Sequence, residues 1–331
     1  MATGKLENET LQDILQSISF HRKEVLVGAG VGLDTTQIDF GEKICVLSTD
    51  PITGAKENIG SLAVDISVND TSTSGAENIG VLLTILAPEG TTPQDIREIM
   101  ADASKRAEEL EIEIIGGHTE ITDAVNRFVL SSTSIGILDK KDQIPADKIQ
   151  EGDSVYVSKY IGIEGTAILA HDKEEELKNV MTQEELDYAK GLLKWISVQD
   201  DAKYAKNKDL SYMHDVTEGG VLGALWEISN ASGYGVEVEI NKIPILEHTR
   251  RICSFLKIDP LKLISSGCMI ITTPNGNGLL QKLQQNDVKA SIIGKITFSK
   301  ECIIKDGDNH IKINIPESDE LYKARSMKGL I

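Results

Sequence analysis

The stretch from Val25 to Asp50, VLVGAGVGLDTTQIDFGEKICVLSTD, constrains the fold of this chain more than any other. A short apolar run enters three alternating glycines, and a second apolar run ends in an aspartate, as in a dinucleotide-binding turn. That fold needs a crossover helix between its first two strands. Here only eleven residues, LDTTQIDFGEK, separate Gly32 from Ile44, and their β-branched side chains disfavour a helix. The stretch therefore predicts two strands joined by a hairpin around DFGEK and excludes a dinucleotide fold.

The composition of the 331 residues predicts a soluble, cytoplasmic, globular protein. A formal net charge of −18 argues against nucleic acid or an anionic membrane as a partner, because binding to phosphates needs lysine and arginine. No apolar run approaches about 20 residues, and the amino terminus lacks the apolar core of a signal peptide. The four cysteines show no CxxC spacing, which disfavours a structural zinc site and a disulfide framework.

Predicted strands and helices alternate along the chain in two blocks, which indicates two mixed α/β domains. The charged segment 139–153 contains a proline and ends near Gly152, so we place the boundary there and expect domains 1–150 and 151–331. In the first block we expect an opening helix over 9–20, a helix capped by Thr92 and a strand EIEIIGG that ends at Gly117. In the second block we expect a long charged helical region over 173–196, most of it a solvated face.

Polar side chains with hard oxygen ligands follow several of the predicted elements of the first block. Such ligands are what Mg²⁺ needs when it bridges nucleotide phosphates, and no Walker loop is present. Asp65 and Asn69 are four residues apart, so they share one face of a small-residue helix. Taken singly, each of these residues could equally be a helix cap or a turn former. The candidates are Asp34, Asp50, Asp65, Asn69, Asp70, His118 and Glu120.

Five motifs, GAGVGLDTTQI, LSTDPIT, AVDISVNDTSTSGA, GGHTEIT and MHDVTEGGVLGAL, occur in an order that resembles the aminoimidazole ribonucleotide (AIR) synthase superfamily. That superfamily includes HypE, selenophosphate synthetase, thiamine-phosphate kinase and formylglycinamidine synthase. The resemblance covers nearly the whole chain and is strongest to HypE-like hydrogenase maturation proteins. It implies a two-domain PurM-like fold of mixed α/β class. The amino-terminal domain would bind ATP and form a β-barrel at a homodimer interface, and the carboxy-terminal domain would be a sheet flanked by helices.

The resemblance also implies ATP and Mg²⁺ as cofactors and a role for each matching residue. His118 and Glu120 would transfer protons or orient the substrate, although a histidine behind two glycines can equally be hydrogen-bonded in a turn. A Gly-Gly turn that opens a helix presents unpaired N–H groups, which is an independent reason to expect an anion there. The implied metal ligands are Asp34, Asp50, Asp65 and Asp70. The implied nucleotide or phosphate contacts are Gly30, Gly32, Asp50, Asn69, Gly116, Gly117, Thr119, His214, Asp215, Thr217, Glu218, Gly219 and Gly220.

The chemistry that the resemblance implies is ATP-dependent phosphorylation of an amide-type or carboxylate-type oxygen, on a small molecule or a protein tail. HypE carries its carbamoyl group on a carboxy-terminal cysteine, whereas this sequence ends ELYKARSMKGLI and its last cysteine, Cys302, falls in a predicted strand. Two other functions stay open: a small-molecule kinase like thiamine-phosphate kinase, and a nucleotide-binding assembly protein without turnover. Substrate-dependent release of ADP would separate the enzymes from the assembly protein.

Overall fold

The computed structural model describes residues 8–16, 18, 21–53, 58–207, 209–274, 276–314 and 318–327. These residues form two compact units, one of Ile14–Gln143 and one made mostly of the residues from Ile144 onwards. The division falls inside the charged segment 139–153. The opening helix α1 spans Asn8–Leu15, and Ser17, Ser19 and Phe20 of the helix predicted over 9–20 lie outside the described residues. No helix in these ranges is long and apolar enough to cross a membrane.

The first unit contains one six-stranded sheet and two long helices. Its elements are β1 (Val25–Val27), β2 (Thr36–Asp39), β3 (Lys43–Ile52), α2 (Ile59–Thr73), β4 (Glu77–Ala87), α3 (Pro93–Glu109), β5 (Glu113–Ile121) and β6 (Val129–Asp139). The strands lie in the order β1-β2-β3-β6-β4-β5, and every neighbouring pair is antiparallel except β4 and β5. Within the described residues of one chain this sheet is open and no closed barrel forms, so the predicted barrel stays a prediction about a dimer.

The hairpin predicted around DFGEK is confirmed. Strands β2 and β3 are antiparallel, with Thr36 opposite Leu47 and Asp39 opposite Ile44, and Gly41 N donates to Asp39 Oδ1 at 2.8 Å in the turn. No helix lies between the glycine loop and β3, which confirms that the glycines do not begin a dinucleotide fold. The helix predicted after Thr92 is also confirmed, because Thr92 and Asp95 form a capping box and Pro93 begins α3.

The two faces of this sheet differ. Along β6 buried and half-buried residues alternate, and the buried ones face the helices; we call this side the inner face and the other side the outer face. Nearly every residue of α2 is buried, which its small side chains allow. The hydroxyl groups of Ser67 on α2 and Ser132 on β6 lie 2.8 Å apart, and Ser134 Oγ donates to Ser67 O at 2.5 Å. A polar helix face therefore packs on the sheet without unpaired hydroxyl groups at these positions.

The second unit is built on a seven-stranded sheet. Its strands are β7 (Ser154–Ser158), β8 (Tyr212–Asp215), β9 (Gly235–Glu239), β10 (Met269–Thr273), β11 (Ala290–Thr297), β12 (Cys302–Asp306) and β13 (Asn309–Lys312). Their order is β13-β12-β9-β11-β7-β10-β8, and only β12 and β9 pair in parallel. The α-helices are α4 (Ile163–Asp172), α5 (Glu174–Leu177), α6 (Gln183–Lys190), α7 (Gln199–Ala205), α8 (Gly220–Ser232), α9 (Glu247–Leu256), α10 (Gly276–Gln285) and α11 (Glu320–Ser326).

The helical region predicted over 173–196 is confirmed, but it is not one continuous helix. The structure divides this segment into α5, α6 and a 3-10 turn over Gly191–Trp195, because Thr182 forms a capping box with Glu185 and begins a new helix. The segment is also less solvated than its charge suggests, since its apolar residues recur at helical spacing and pack into a core with α4 and α9. The buried side chains of the segment are Leu177, Met181, Leu186, Ala189, Leu192 and Ile196.

Candidate functional site

Two of the predicted metal ligands meet at a serine hydroxyl on the inner face of the first sheet. Ser48 Oγ lies 2.5 Å from Asp70 Oδ2 and 3.3 Å from Asp50 Oδ2. Ser48 and Asp50 are two residues apart on β3, so both side chains face α2, which carries Asp70. A hydroxyl has one proton, so it donates to one carboxylate at a time. We call this group the Asp50–Ser48–Asp70 cluster; Asp70 is buried and Asp50 is half-buried.

The glycine loop that carries Asp34 approaches the same end of β3. Asp34 is exposed and lies two residues before β2, and the β2–β3 register places Thr36 opposite Leu47. The loop that contains Gly30, Gly32 and Asp34 therefore lies towards the end of β3 that bears Asp50. The carboxylate oxygens of Asp34, Asp50 and Asp70 do not all lie within 4.8 Å of one another, so the described residues do not bring these three predicted ligands together as one group.

Asp65 is engaged elsewhere. Its carboxylate oxygens accept from Arg106 Nε at 3.0 and 2.9 Å, and Arg106 Nη2 lies 2.9 Å from Oδ1. Five residues of helix turn the backbone through about 140°, so Asp65 faces α3 whereas Asp70 faces β3. The grouping of all four carboxylates predicted from the sequence is therefore not seen, because an ion pair between α2 and α3 holds Asp65. Asn69 is fully buried within α2.

The GGH motif lies inside a strand and not after one, which corrects the predicted end of the strand at Gly117. Strand β5 continues to Ile121 at the edge of the sheet. Gly117 has φ 147°, and a Cβ atom there would lie 1.8 Å from Leu83 O, so this position requires glycine for the pairing of β4 with β5. The close approach of the two strands explains this glycine without a ligand.

His118 and Glu120 lie on the outer face. They pair with Thr84 and Leu86 of β4, whose neighbours Leu83 and Ile85 face the core. His118 Nε2 lies 3.3 Å from Glu120 Oε2, and the two side chains are 65% and 53% exposed. Within one chain they are therefore on the opposite face of the sheet from the Asp50–Ser48–Asp70 cluster. Their role in proton transfer, and the nucleotide contacts of Gly116, Gly117 and Thr119, stay predictions.

In the second unit, His214 and Asp215 are the last residues of β8 and are buried. His214 Nε2 lies 2.9 Å from Glu227 Oε2 on α8, so part of the motif predicted as a turn is a strand with its histidine in a hydrogen bond. The chain turns between the end of β8 at Asp215 and the start of α8 at Gly220. We call residues 217–220, which include the first residue of α8, the Thr217–Gly220 turn. Thr217 and Glu218 are half-buried in it.

The prediction of unpaired N–H groups at this turn is wrong for both glycines. Gly219 N donates to Asp319 Oδ2 at 2.7 Å, and Gly220 N donates to Thr217 O at 3.0 Å. Asp319 comes from the far end of the chain, so no local pattern could show that it occupies the start of α8. A carboxylate at a helix amino terminus is favourable for the same reason that a bound anion is.

Three residues of these sites escaped the sequence analysis. Ser48 stands two positions before Asp50 on the same predicted strand, so strand alternation predicts that the two side chains lie on one face of the sheet. Asp319 gave no signal. Glu164 at the start of α4 is 7% exposed, and its Oε2 accepts no hydrogen bond from any described residue. Burial raises the pKa of Glu164 to about 7, against hydrogen bonds from Ser266 that lower it.

The four cysteines are free thiols within the described residues. Cys302 lies in strand β12, as predicted, and its side chain is buried. Burial raises the pKa of Cys302 to about 12, and it raises the pKa of Cys253 to the same value. Burial also raises the pKa values of Cys45 and Cys268. A thiol that stays protonated is a poor nucleophile, so none of these positions has the character of a catalytic cysteine.

Comparison with known proteins supports the predicted resemblance to HypE-like proteins. A putative hydrogenase expression/formation protein of Methanocaldococcus jannaschii is 28% identical over 319 residues, which cover 92% of this chain and 91% of that protein. Carbamoyl dehydratase HypE of Bradyrhizobium diazoefficiens is 25% identical over 75% of this chain and 72% of its own length. The crystal structure of the hydrogenase maturation protein HypE in complex with ATP shares the fold, with a TM-score of 0.71, 20% identity and coverage of 95% and 94%.

Two family models match the chain and divide it as the fold does. The amino-terminal domain of AIR synthase related proteins matches residues 32–138, and their carboxy-terminal domain matches residues 150–307. Together the two matches span most of the sequence, in the same order as the two compact units. The chain belongs to the AIR synthase related family.

Proposed function

We propose that this protein is an ATP- and Mg²⁺-dependent enzyme that activates an amide-type or carboxylate-type oxygen by phosphorylation. The observation that carries the proposal is the convergence of Asp50 and Asp70 on the Ser48 hydroxyl. It is supported by the relatives named carbamoyl dehydratase and by the fold shared with a HypE structure that contains ATP. The substrate would be a small molecule or a protein tail, and hydrogenase maturation is the process that the relatives' names suggest.

The chemistry of the donor set fits Mg²⁺. Two carboxylates and a hydroxyl provide the hard oxygen ligands that this ion prefers. The predicted ligand Asp34 does not form one group with these two carboxylates within 4.8 Å in the described structure. Asp50, Asp70 and the Ser48 hydroxyl would hold the ion, whose positive charge would offset the charge of the transferred phosphoryl group. We leave Asp65 out of the ligand set, because binding a metal would cost its ion pair with Arg106.

Residues of the two units would have separate roles in this reaction. The Ser48 hydroxyl would keep the two carboxylates in place by donating to either of them. In the second unit, the polar groups of the Thr217–Gly220 turn, with His214 and Asp215 at the end of β8, would hold phosphate. His118 and Glu120 would take part in proton transfer only for a ligand that reaches the outer face, where both side chains are exposed. Proximity of the bound groups would supply much of the rate.

A pair of variants on one helix tests the metal site. Asp70→Asn keeps the size of the side chain and removes a charged ligand, so we expect Mg²⁺-dependent ATP affinity to fall about tenfold or more by calorimetry. Asp65→Asn is the matched control, because Asp65 is also buried on α2 but faces Arg106; the variant should lower stability, yet under conditions in which it stays folded its affinity should be within about twofold of wild type. Equal affinities for Asp70→Asn and wild type would contradict the proposed site. Failure of wild type to bind ATP would contradict the function.

The products of turnover decide between the open functions. An activating enzyme releases both ADP and phosphate when its substrate is present, whereas a kinase like thiamine-phosphate kinase keeps the phosphate on its product. An assembly protein releases neither. The same assay therefore measures ADP and free phosphate together, with Asp70→Asn as the inactive control.

We also propose that the first unit forms a homodimer. Strand β5 is an open edge, and large apolar side chains on β4 and β5 are more than a third exposed. An exposed edge with apolar side chains favours pairing with another chain. Sedimentation velocity at micromolar concentration should show a dimer, and Leu82→Asp should shift it towards monomer; a wild-type monomer would contradict the proposal. The exposed side chains are Ile79, Leu82, Ile115 and Ile121.

A further inference from the structure

The Thr217–Gly220 turn adopts a conformation that its own sequence does not secure. Gly219 and Gly220 have φ angles of 87° and 62°, in the left-handed region that favours glycine. A Cβ atom on Gly220 would lie 2.5 Å from Leu261 O, so the turn packs directly against another backbone segment. Two successive glycines have many other conformations open to them. Contacts from elsewhere in the chain must therefore select this one.

One buried carboxylate makes such a contact. Asp319 is 1% exposed, and its Oδ2 accepts from Gly219 N at 2.7 Å. Its Oδ1 accepts from Ile264 N at 3.2 Å and from Leu321 N at 2.8 Å. The same side chain thus joins the turn, the loop before β10 and the first residues of α11.

The surroundings of Asp319 make its charge sensitive to pH. The titratable groups that face it are Glu164 on α4, Glu218 in the turn and Tyr322 on α11. Burial raises the pKa of Asp319 to about 6, although its three backbone N–H bonds lower it. The carboxylate is therefore ionised at neutral pH and becomes protonated in mildly acidic solution. An ionised acceptor makes the stronger hydrogen bond, so protonation weakens the link to Gly219.

We propose that Asp319 is a positioning residue that holds the Thr217–Gly220 turn in the shape in which it receives a phosphate group. This inference rests on the proposed function for what the turn binds, but not for how the turn is held. Because Asp319 takes the N–H group of Gly219, the phosphate is left to the other polar groups of the turn, including the Thr217 hydroxyl. The segment that carries Asp319 thereby controls a site 100 residues earlier in the sequence.

The test is nuclear magnetic resonance on the full chain, with ¹⁵N-glycine and ¹³C-carbonyl glutamate. This labelling selects Glu–Gly pairs, of which the sequence has four, including Glu218–Gly219. In wild type the Gly219 amide should shift with a midpoint near pH 6, as Asp319 titrates. In Asp319→Asn that transition should vanish. At neutral pH the affinity for inorganic phosphate, read from the same resonance, should fall about tenfold. Asp153→Asn is the matched control, since Asp153 is also a buried carboxylate of the second unit but accepts from Gln150 N.

The outcomes separate this inference from the proposed function. A Gly219 amide that exchanges with solvent in wild type as fast as an unbonded amide would overturn the inference, and this measurement needs no variant to fold. Equal phosphate affinity in wild type and Asp319→Asn would overturn it as well. If Gly219 titrates as expected but wild type ignores phosphate, Asp319 still holds the turn and the phosphate role of the turn is wrong.

Discussion

The two units share one kind of buried carboxylate and differ in the others, since Asp201 of the second unit pairs with Lys159 as Asp65 of the first unit pairs with Arg106. In the first unit, Asp65 pairs with an arginine, and Asp70 meets a serine hydroxyl beside a second carboxylate. In the second unit, Asp319 accepts three backbone N–H groups, and Glu164 is hydrogen-bonded to Ser266. Burial raises the pKa values of Glu164 and Asp319, and no basic group lowers either among the described residues. The role of an acidic residue in this chain is therefore set by its partner and not by its burial.

The difference has a chemical consequence. A carboxylate that accepts from a hydroxyl can also bind a metal ion, as we propose for Asp50 and Asp70. A carboxylate that two or three backbone N–H groups satisfy becomes part of the framework, as Asp319 does. Asp65 is a third type, since its charge is already neutralised by Arg106. Each type predicts a different response to mutation.

The largest effect is expected from the ion pair. Asp65→Asn leaves a mostly buried arginine with its main partner gone, so the first unit should lose about 3 kcal/mol of unfolding free energy. The two tryptophans of the chain, Trp195 and Trp226, both lie in the second unit, so their fluorescence does not report on the first unit. Unfolding in urea is therefore followed by circular dichroism.

An exposed pair on the same helix is the control for this prediction. Lys105 and Glu109 lie 3.9 Å apart on α3, and their side chains are 78% and 47% exposed. Lys105→Met should cost less than about 0.5 kcal/mol, because solvent screens such pairs. If Asp65→Asn were as mild as Lys105→Met, the Arg106 contact would not be a structural ion pair, and Asp65 would return to the list of possible metal ligands.

A smaller and pH-dependent effect is expected in the second unit. The pKa of Glu164 is about 7 in the folded chain, above its ordinary value of 4.5, so the folded state binds its proton more tightly than the unfolded state. The stability that this provides is complete below pH 4.5 and is lost as the pH rises through 7. Glu164→Gln removes the titration, so it should stabilise the second unit relative to wild type by about 2.5 kcal/mol more at pH 8 than at pH 5.

Tryptophan fluorescence during urea unfolding measures this difference directly, since both tryptophans report on the second unit. Glu175→Gln is a suitable control, because the Glu175 side chain is 81% exposed on the neighbouring helix and should show no such change between the two pH values. A difference between Glu164→Gln and wild type that stayed constant with pH would mean that Glu164 does not titrate in this range. The buried carboxylates of the two units would then differ less in their pKa values.

Local patterns in the sequence predicted much of the architecture. The short spacing between Gly32 and Ile44 predicted the β2–β3 hairpin, and Thr92, Pro93 and Asp95 predicted the start of α3. Both depend on interactions within a few residues, which a sequence displays directly. The segment 173–196 is helical as predicted, but its high charge concealed a buried apolar stripe and a capping box at Thr182 that begins a separate helix.

The sequence by itself determined the family, the mixed α/β class and the presence of acidic residues at the ends of several elements. Only the tertiary structure decided which of those residues meet. Asp70 joins Asp50 and Asp65 does not, because five residues of helix point them to different neighbours. Asp319 reaches Gly219 across 100 residues of chain. Pairings of this kind depend on how separate elements pack together, and short-range patterns carry no record of that packing.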